Sequence, residues 1–205
     1  MFIDLYRAAQ RSYAKVFTFL CRSSFGKLGH ASVLVPPLRL WGEQRIEIGS
    51  GVFFGADGWL QVVPSDAPRG NEPVISIGDH TSIVGTCTIT AVEQVVVERS
   101  VLMAGNVYIS DHAHAHHSRT EPIKDQGVTN VAPVRICEGA WLGQNVVICP
   151  GVTVGKNSVI GANSVVRNNV PDFCVFAGAP AKFIRKIDER APRSKQLMEP
   201  ILAES

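Results

Sequence analysis

No two cysteines of this 205-residue chain stand in a CxxC spacing: Cys21, Cys87, Cys137, Cys149 and Cys174 are odd in number and scattered. That excludes a disulfide framework and a zinc knuckle, and fits a reducing compartment. No apolar run approaches the ~18 residues that a membrane-crossing helix needs. Asp4, Arg7 and Arg11 also interrupt any signal-peptide core near the N-terminus. Strong charge of one sign is missing as well, since the formal net charge is +2; that is too small to suggest nucleic acid. With 45% apolar and 19% charged residues the chain is not disordered. These absences leave a cytoplasmic globular protein of one domain.

What is present is a repeat. From Ile136 the sequence divides into sixes, "ICEGAW LGQNVV ICPGVT VGKNSV IGANSV VRNNVP". The same phase appears from Ile48, from Ile77 and from Val97, which makes fifteen hexads on one template. Each block opens on a large apolar residue, in most cases Ile, Leu or Val, and its fifth position is mostly a compact residue. A solenoid explains both: one large side chain per hexad points inward, and a compact one fits the narrow interior beside it. Cys137 and Cys149 fall at second positions and Cys87 at a fifth, so the cysteines are read as packing residues and not as nucleophiles.

Grouped in threes, the hexads start at 48, 77, 97, 136 and 154. Every interruption then follows a third hexad: Asp66 to Ser76, the pair Val95 and Val96, and Ala115 to Arg135. If three hexads make a coil, all three excursions leave from one corner, and long excursions from a compact repeat are commonly functional. The chain divides accordingly into an N-terminal helical capping segment at 1–40, a solenoid at 41–180 with a loop at 115–135, and a basic tail at 181–205. Within the first segment, Phe2, Leu5, Ala9, Tyr13, Val16, Phe17 and Leu20 recur at helical spacing, with Arg7, Arg11 and Lys15 elsewhere on the wheel. The first reading is a helix covering the open end of the solenoid; the second is contact with an anionic membrane surface. A short C-terminal helix is expected around Lys195 to Ala203.

The repeat resembles the hexapeptide-repeat family, which implies an all-β fold, a left-handed parallel β-helix with three hexads per coil. The second half resembles the polysaccharide and lipopolysaccharide O-acetyltransferases and the galactoside and maltose O-acetyltransferases. The residues that carry the likeness are "DHAH", "EPIKDQGV", "VRICEGAWLGQNVVICPGVTVGKNSVIGANSVV" and "AGAPAKFIRKI". The resemblance implies transfer of an acetyl group from acetyl-CoA to a hydroxyl of a sugar or glycan precursor, by a homotrimer with sites between subunits. It assigns His112 as the base. The chemistry requires such a group, because a sugar hydroxyl is a poor nucleophile near pH 7 and neutral imidazole can take its proton. The resemblance also sets Trp141, Gly143, Gln144, Ala162, Arg167, Lys182 and Arg185 along the cofactor. Backbone N–H groups near Gly143 and Gln144 are candidates for the oxyanion, and the cations would meet phosphate oxygens.

Four of the six histidines crowd into "SDHAHAHHS", at 112, 114, 116 and 117. A metal reading has a precedent in the γ-class carbonic anhydrases, which resemble this repeat and bind zinc through three histidines between subunits. There the ligands come from neighbouring coils and an adjoining chain, so the expectation is a catalytic base and no metal. Asp111 and His114 are expected to contact substrate, with Arg69, Asn71 or Glu72 of the first excursion contributing to acceptor choice. Asp57, Glu121 and Asp125 are candidates to orient His112, and His80 is expected at a turn. Rival readings are N-acetylation of a nucleotide-linked amino sugar, a carbonic-anhydrase-like metalloenzyme, and a scaffold without chemistry.

Overall fold

One apolar side chain every six residues can be buried only if the chain turns the same corner again and again. The computed structural model, which describes residues 1–65 and 72–187, has that form. Among the described residues the parallel strands gather in three sheets, and the chain visits them in a fixed order. The first sheet holds Lys27–Leu28, Ile46–Ile48, Ile75–Ile77, Val95–Val97, Val134–Ile136 and Thr153–Val154. The second holds Val33–Leu34, Phe53–Phe54, Ser82–Ile83, Leu102–Met103, Trp141–Leu142 and Val159–Ile160, followed by a hairpin of Cys174–Gly178 and Ala181–Lys186. The third holds Leu38–Trp41, Gly58–Val62, Cys87–Ala91, Val107–Ser110, Val147–Ile148 and Val165–Val166. This arrangement fits a left-handed parallel β-helix with one N-terminal helix.

Hexad first positions form the core. Ile48, Phe54 and Leu60 of one coil are buried, as are Ile77, Ile83 and Ile89, Val97, Met103 and Ile109, Ile136, Leu142 and Ile148, and Val154, Ile160 and Val166. Each such side chain contributes roughly 1.5–3 kcal/mol by leaving water. Fifth positions are buried beside them, among them Ala140, Val146, Ser158 and Ser164. Burial pushes the Cys87 thiol up to about 12 and raises Cys21, Cys137 and Cys149 as well, in keeping with packing and not with nucleophilic chemistry. Corners need left-handed backbone: His80 (φ 58°), Asn106, Asn145 and Asn163 all have positive φ. Asn and His tolerate that region better than β-branched residues do. The amides of Asn106, Asn145 and Asn163 hydrogen-bond in a ladder at 3.1 and 2.8 Å.

Both long excursions leave from the same edge. Residues 63–74 and 111–133 each connect a third-sheet strand to the next first-sheet strand, with two coils between them. The sheets also reach further back than the spacing from Ile48 suggests. Lys27–Leu28 pairs with the strand at Ile46–Ile48, and Leu38–Trp41 with Gly58–Val62, so a first coil spans Lys27 to Trp41 and occupies much of the segment expected to be a helical cap. Its register, Leu28, Leu34 and Leu40, is the same six-residue step.

The helix expected near the N-terminus spans Phe2–Cys21 and is labelled α1. It rests on the edge strand Val33–Leu34, where Thr18 Oγ1 accepts the Leu34 N–H at 2.8 Å and donates to Ala14 O at 2.7 Å. Its buried residues are Ala14 and Thr18; of the apolar series at helical spacing only Phe17 is packed against the core, and the larger others are exposed. The covering contact therefore uses a small-residue face, because a slender face lets the helix approach the strand edge closely enough to hydrogen-bond it. The C-terminal helix around Lys195 to Ala203 lies outside the described residues, as do Arg69 and Asn71.

Candidate functional site

The third-sheet strand Val107–Ser110 ends where the longer excursion begins, and the turn that follows carries Asp111 and His112. Asp111 is fully buried. Its Oδ1 accepts the Val92 N–H at 2.8 Å, and its Oδ2 accepts those of Glu93 and Gln94 at 2.6 and 2.8 Å. The fourth partner is His112, with Nδ1 at 2.8 Å from Oδ1. Burial pushes the Asp111 carboxyl up, but the bonds from His112 and from those three backbone N–H groups outweigh it. They hold the group below the ordinary carboxylate value. A carboxylate so placed is ionised near neutrality and accepts a hydrogen bond from Nδ1–H, which leaves the lone pair of His112 on Nε2. Ser110 fixes the backbone: its Oγ accepts the His112 N–H at 3.2 Å and donates to the His112 carbonyl at 2.8 Å.

Asp111 therefore holds the His112 ring and, contrary to the expectation of a substrate contact, has no exposed surface and both oxygens occupied. The three acids considered for that role lie elsewhere. Asp57 sits at a positive-φ corner, Glu121 is exposed, and Asp125 pairs with Lys124 at 3.3 Å. The signal for Asp111 was the DH dipeptide itself, where the strand ends and consecutive side chains no longer alternate between faces. Of the other histidines, His114 is exposed in a two-residue antiparallel pairing with Val128–Thr129. His116 bonds the His114 carbonyl at 3.1 Å, and His117 is exposed. Among the described residues no three His, Cys, Asp or Glu side chains gather into a ligand set. Glu72, from the first excursion, is held by its carbonyl, which accepts Arg45 Nε and Nη2 at 3.2 and 2.6 Å.

A second group gathers on the second sheet. Trp141 pairs with Val159, Val159 with Val175 and Val175 with Arg185, so Trp141 and Arg185 lie in one cross-strand row. Three spacings of ~4.8 Å separate them by about 14 Å. Lys182 pairs with Ala177 in the hairpin, whose Cβ abuts Gly161. Trp141, Lys182 and Arg185 are exposed. Gln144 and Ala162 occupy the adjoining corner of two successive coils. Their N–H groups have no backbone partner among the described residues, whereas the Gly143 N–H is committed to Ile160 O at 2.8 Å. Gly143 is therefore no oxyanion donor. It is glycine because a Cβ there would stand 2.7 Å from Ala162 N and 2.9 Å from Ile160 O of the next coil.

Arg167 is not part of this group. It follows the third-sheet strand Val165–Val166, on the corner that carries His112 two coils away. Base and row lie on different edges of the prism: Gln144 and Ala162 sit at the corner before the third-sheet strands Val147–Ile148 and Val165–Val166, whereas His112 follows the third-sheet strand Val107–Ser110.

Residues 133–168 match the family model described as bacterial transferase hexapeptide (six repeats). Among curated proteins, the putative lipopolysaccharide biosynthesis O-acetyl transferase WbbJ of Escherichia coli (strain K12) is 36% identical over 119 residues, 55% of this chain and 61% of that protein. A galactoside acetyltransferase solved in complex with coenzyme A shares the fold at a TM-score of 0.58 and 26% identity, covering 89% of this chain and 83% of that one. AntD, an N-acyltransferase from Bacillus cereus solved with dTDP and 3-hydroxybutyryl-CoA, gives a TM-score of 0.68 over 82% of this chain and 87% of that one, at 16% identity, a likeness of fold alone. The chain spans about half the length of the curated relatives it matches. Residues 133–168 thus match hexapeptide repeats, and the sheets that the repeats build share the fold of these solved acyltransferases.

Proposed function

We propose that the chain is an acetyl-CoA-dependent O-acetyltransferase acting on a sugar or glycan acceptor, with His112 as general base. The observation that carries this reading is the Asp111–His112 pair, a buried carboxylate on Nδ1 that leaves Nε2 as the acceptor. Nε2 takes the proton of the acceptor hydroxyl as its oxygen attacks the thioester carbonyl. The tetrahedral oxyanion collapses, the carbon–sulfur bond breaks, and the imidazolium returns its proton to the departing thiolate, so no acyl-enzyme forms. Likeness to the galactoside acetyltransferase that binds coenzyme A supports the donor. Lys182 and Arg185 are the cations for its phosphates, and the Trp141 ring flanks its arm. The Gln144 N–H serves the oxyanion and the Ala162 N–H the pantetheine amide.

Because base and cofactor row stand on different edges of the prism, the active site is completed between subunits of a homotrimer, His112 from one and the row from its neighbour. Acceptor selection falls to the excursion carrying Arg69, Asn71 and Glu72, which shares an edge with His112, together with exposed His114. Arg167, on that same edge, is assigned to the donor's far end in the neighbouring site.

The test is thiol release from acetyl-CoA with a panel of nucleotide sugars, lipid-linked glycans and deacetylated polysaccharides, with amino sugars as a separate arm. The expected result is ester formation that falls ~10²–10⁴-fold in His112→Ala. Near-normal turnover in His112→Ala would remove the base. Amide products alone would replace O- by N-acetylation.

A further inference from the structure

Helix α1 lies on the body with the side opposite to the one a hydrophobic cap would use. Its buried residues, Ala14 and Thr18, continue at helical spacing the stripe of Arg7 and Arg11, so the helix leans on Val33–Leu34 with its small and cationic side. Residues 1–13 are exposed throughout. The opposite stripe runs Phe2, Leu5, Ala9, Tyr13, Val16 and Leu20. It faces away from the body, and its large members range from 56% exposed at Val16 to 81% at Phe2. A helix of 20 residues is about 30 Å long, and a continuous apolar face of that length marks a contact surface.

We propose that α1 lies in the headgroup layer of an anionic lipid bilayer, with this stripe against the acyl chains and the β-helix held above it. Charge decides the occupant. Arg7, Arg11 and Lys15 oppose a single acid, Asp4, in the helix, and none of the three forms an ion pair among the described residues. A helix sunk about 5–10 Å into the headgroup and acyl boundary sets its upper face at phosphate level, where unpaired cations are met by lipid charge. A second copy docked on the stripe would instead bring the same three cations and the same lone acid. Geometry agrees, because the body touches α1 on the side away from the stripe and leaves room for a flat surface beneath. Tyr13 in the stripe offers a ring to the acyl boundary and a hydroxyl to the headgroups.

The experiment is co-sedimentation of the full chain with vesicles of phosphatidylcholine, with and without phosphatidylglycerol. Binding is expected to be at least about tenfold stronger on the anionic vesicles and to fall as salt rises. Leu5→Glu with Val16→Glu should reduce it at least about tenfold. Arg7→Glu with Arg11→Glu should abolish only the preference for anionic lipid. These side chains are exposed, so the far-ultraviolet spectrum and thermal melt of both variants should match the parent, and thiol release with a water-soluble acceptor should be unchanged. The proposal is overturned if anionic vesicles sediment no more protein than neutral ones, or if Leu5→Glu with Val16→Glu binds as the parent does. It is overturned too if that variant lowers the oligomer mass while the parent binds no vesicles, an outcome that assigns the stripe to a second copy.

Discussion

Two regions of one solenoid handle polar groups in opposite ways. At the corner before the long excursion, Asp111 is buried and its oxygens are met by three backbone N–H groups and an imidazole. Along the row from Trp141 to Arg185 the chemistry-bearing side chains stand in solvent. The difference matches the roles proposed for each. A base must be held in one tautomer and one orientation, which rigid buried bonds supply. Cations awaiting a charged ligand must stay hydrated, since unpaired burial would cost several kcal/mol.

The largest effect should come from the buried side. Asp111→Asn would reverse one hydrogen-bond donor against the backbone N–H groups and leave His112 without its carboxylate, so turnover should fall by roughly 10³–10⁴-fold. Saturating kinetics check this, and donor affinity should hold within about threefold of the parent, since Asp111 lies away from the row. A comparable loss of donor affinity would mean that the two regions are one.

On the exposed side, Lys182→Ala or Arg185→Ala should raise the KM for acetyl-CoA by about 10–100-fold, the equivalent of one charge-assisted contact worth ~1.5–3 kcal/mol. The rate at saturation should move little. A fall in that rate at unchanged KM would take the phosphates away from the hairpin.

Mixing sharpens the contrast further. Assayed with acetyl-CoA well below the KM of the unsubstituted protein, subunits carrying His112→Ala, refolded together with subunits carrying Lys182→Ala and Arg185→Ala, should show activity at least about tenfold above either variant alone, because one mixed interface in the trimer unites an intact base with an intact row. No recovery would place both within a single chain.

The smallest effect is on stability. The Asp111 carboxyl is held below its ordinary value of 3.8 in the fold, so the unfolded chain binds the proton more readily. Its contribution is complete above that value and is lost as the pH falls through the lower folded value. Thermal melts between pH 6 and 2 should show a loss in the parent that is diminished in Asp111→Asn.

Much of this was legible in the residues. Hexad phase located the inward positions from Ile48 to Val166, and the triplet count put both excursions on one edge, because a solenoid converts sequence period directly into position. The first coil escaped although Leu28, Leu34 and Leu40 keep the step, since Pro36, Pro37 and the two added residues before Ile48 obscure the phase. The roles proposed for His112, Trp141, Lys182 and Arg185 rest on the resemblance of their motifs, with the hydrogen bonds of His112 in support. The roles of Asp111 and Gly143 were not legible there, because burial and hydrogen-bond commitment are properties of the neighbouring coil.

Sequence alone determined the coils, the corner of the excursions and the amphipathic character of residues 2–21, all of which are periodic and therefore local. Tertiary structure decided three matters that no period encodes. Backbone of Val92 to Gln94 on the preceding coil closes around Asp111 and fixes its carboxylate against His112. The next coil takes the Gly143 N–H. The strand Val33–Leu34 accepts α1 through Ala14 and Thr18, which turns its apolar side outward. Each is a contact between segments distant along the chain, set by which surfaces can approach closely enough to bond.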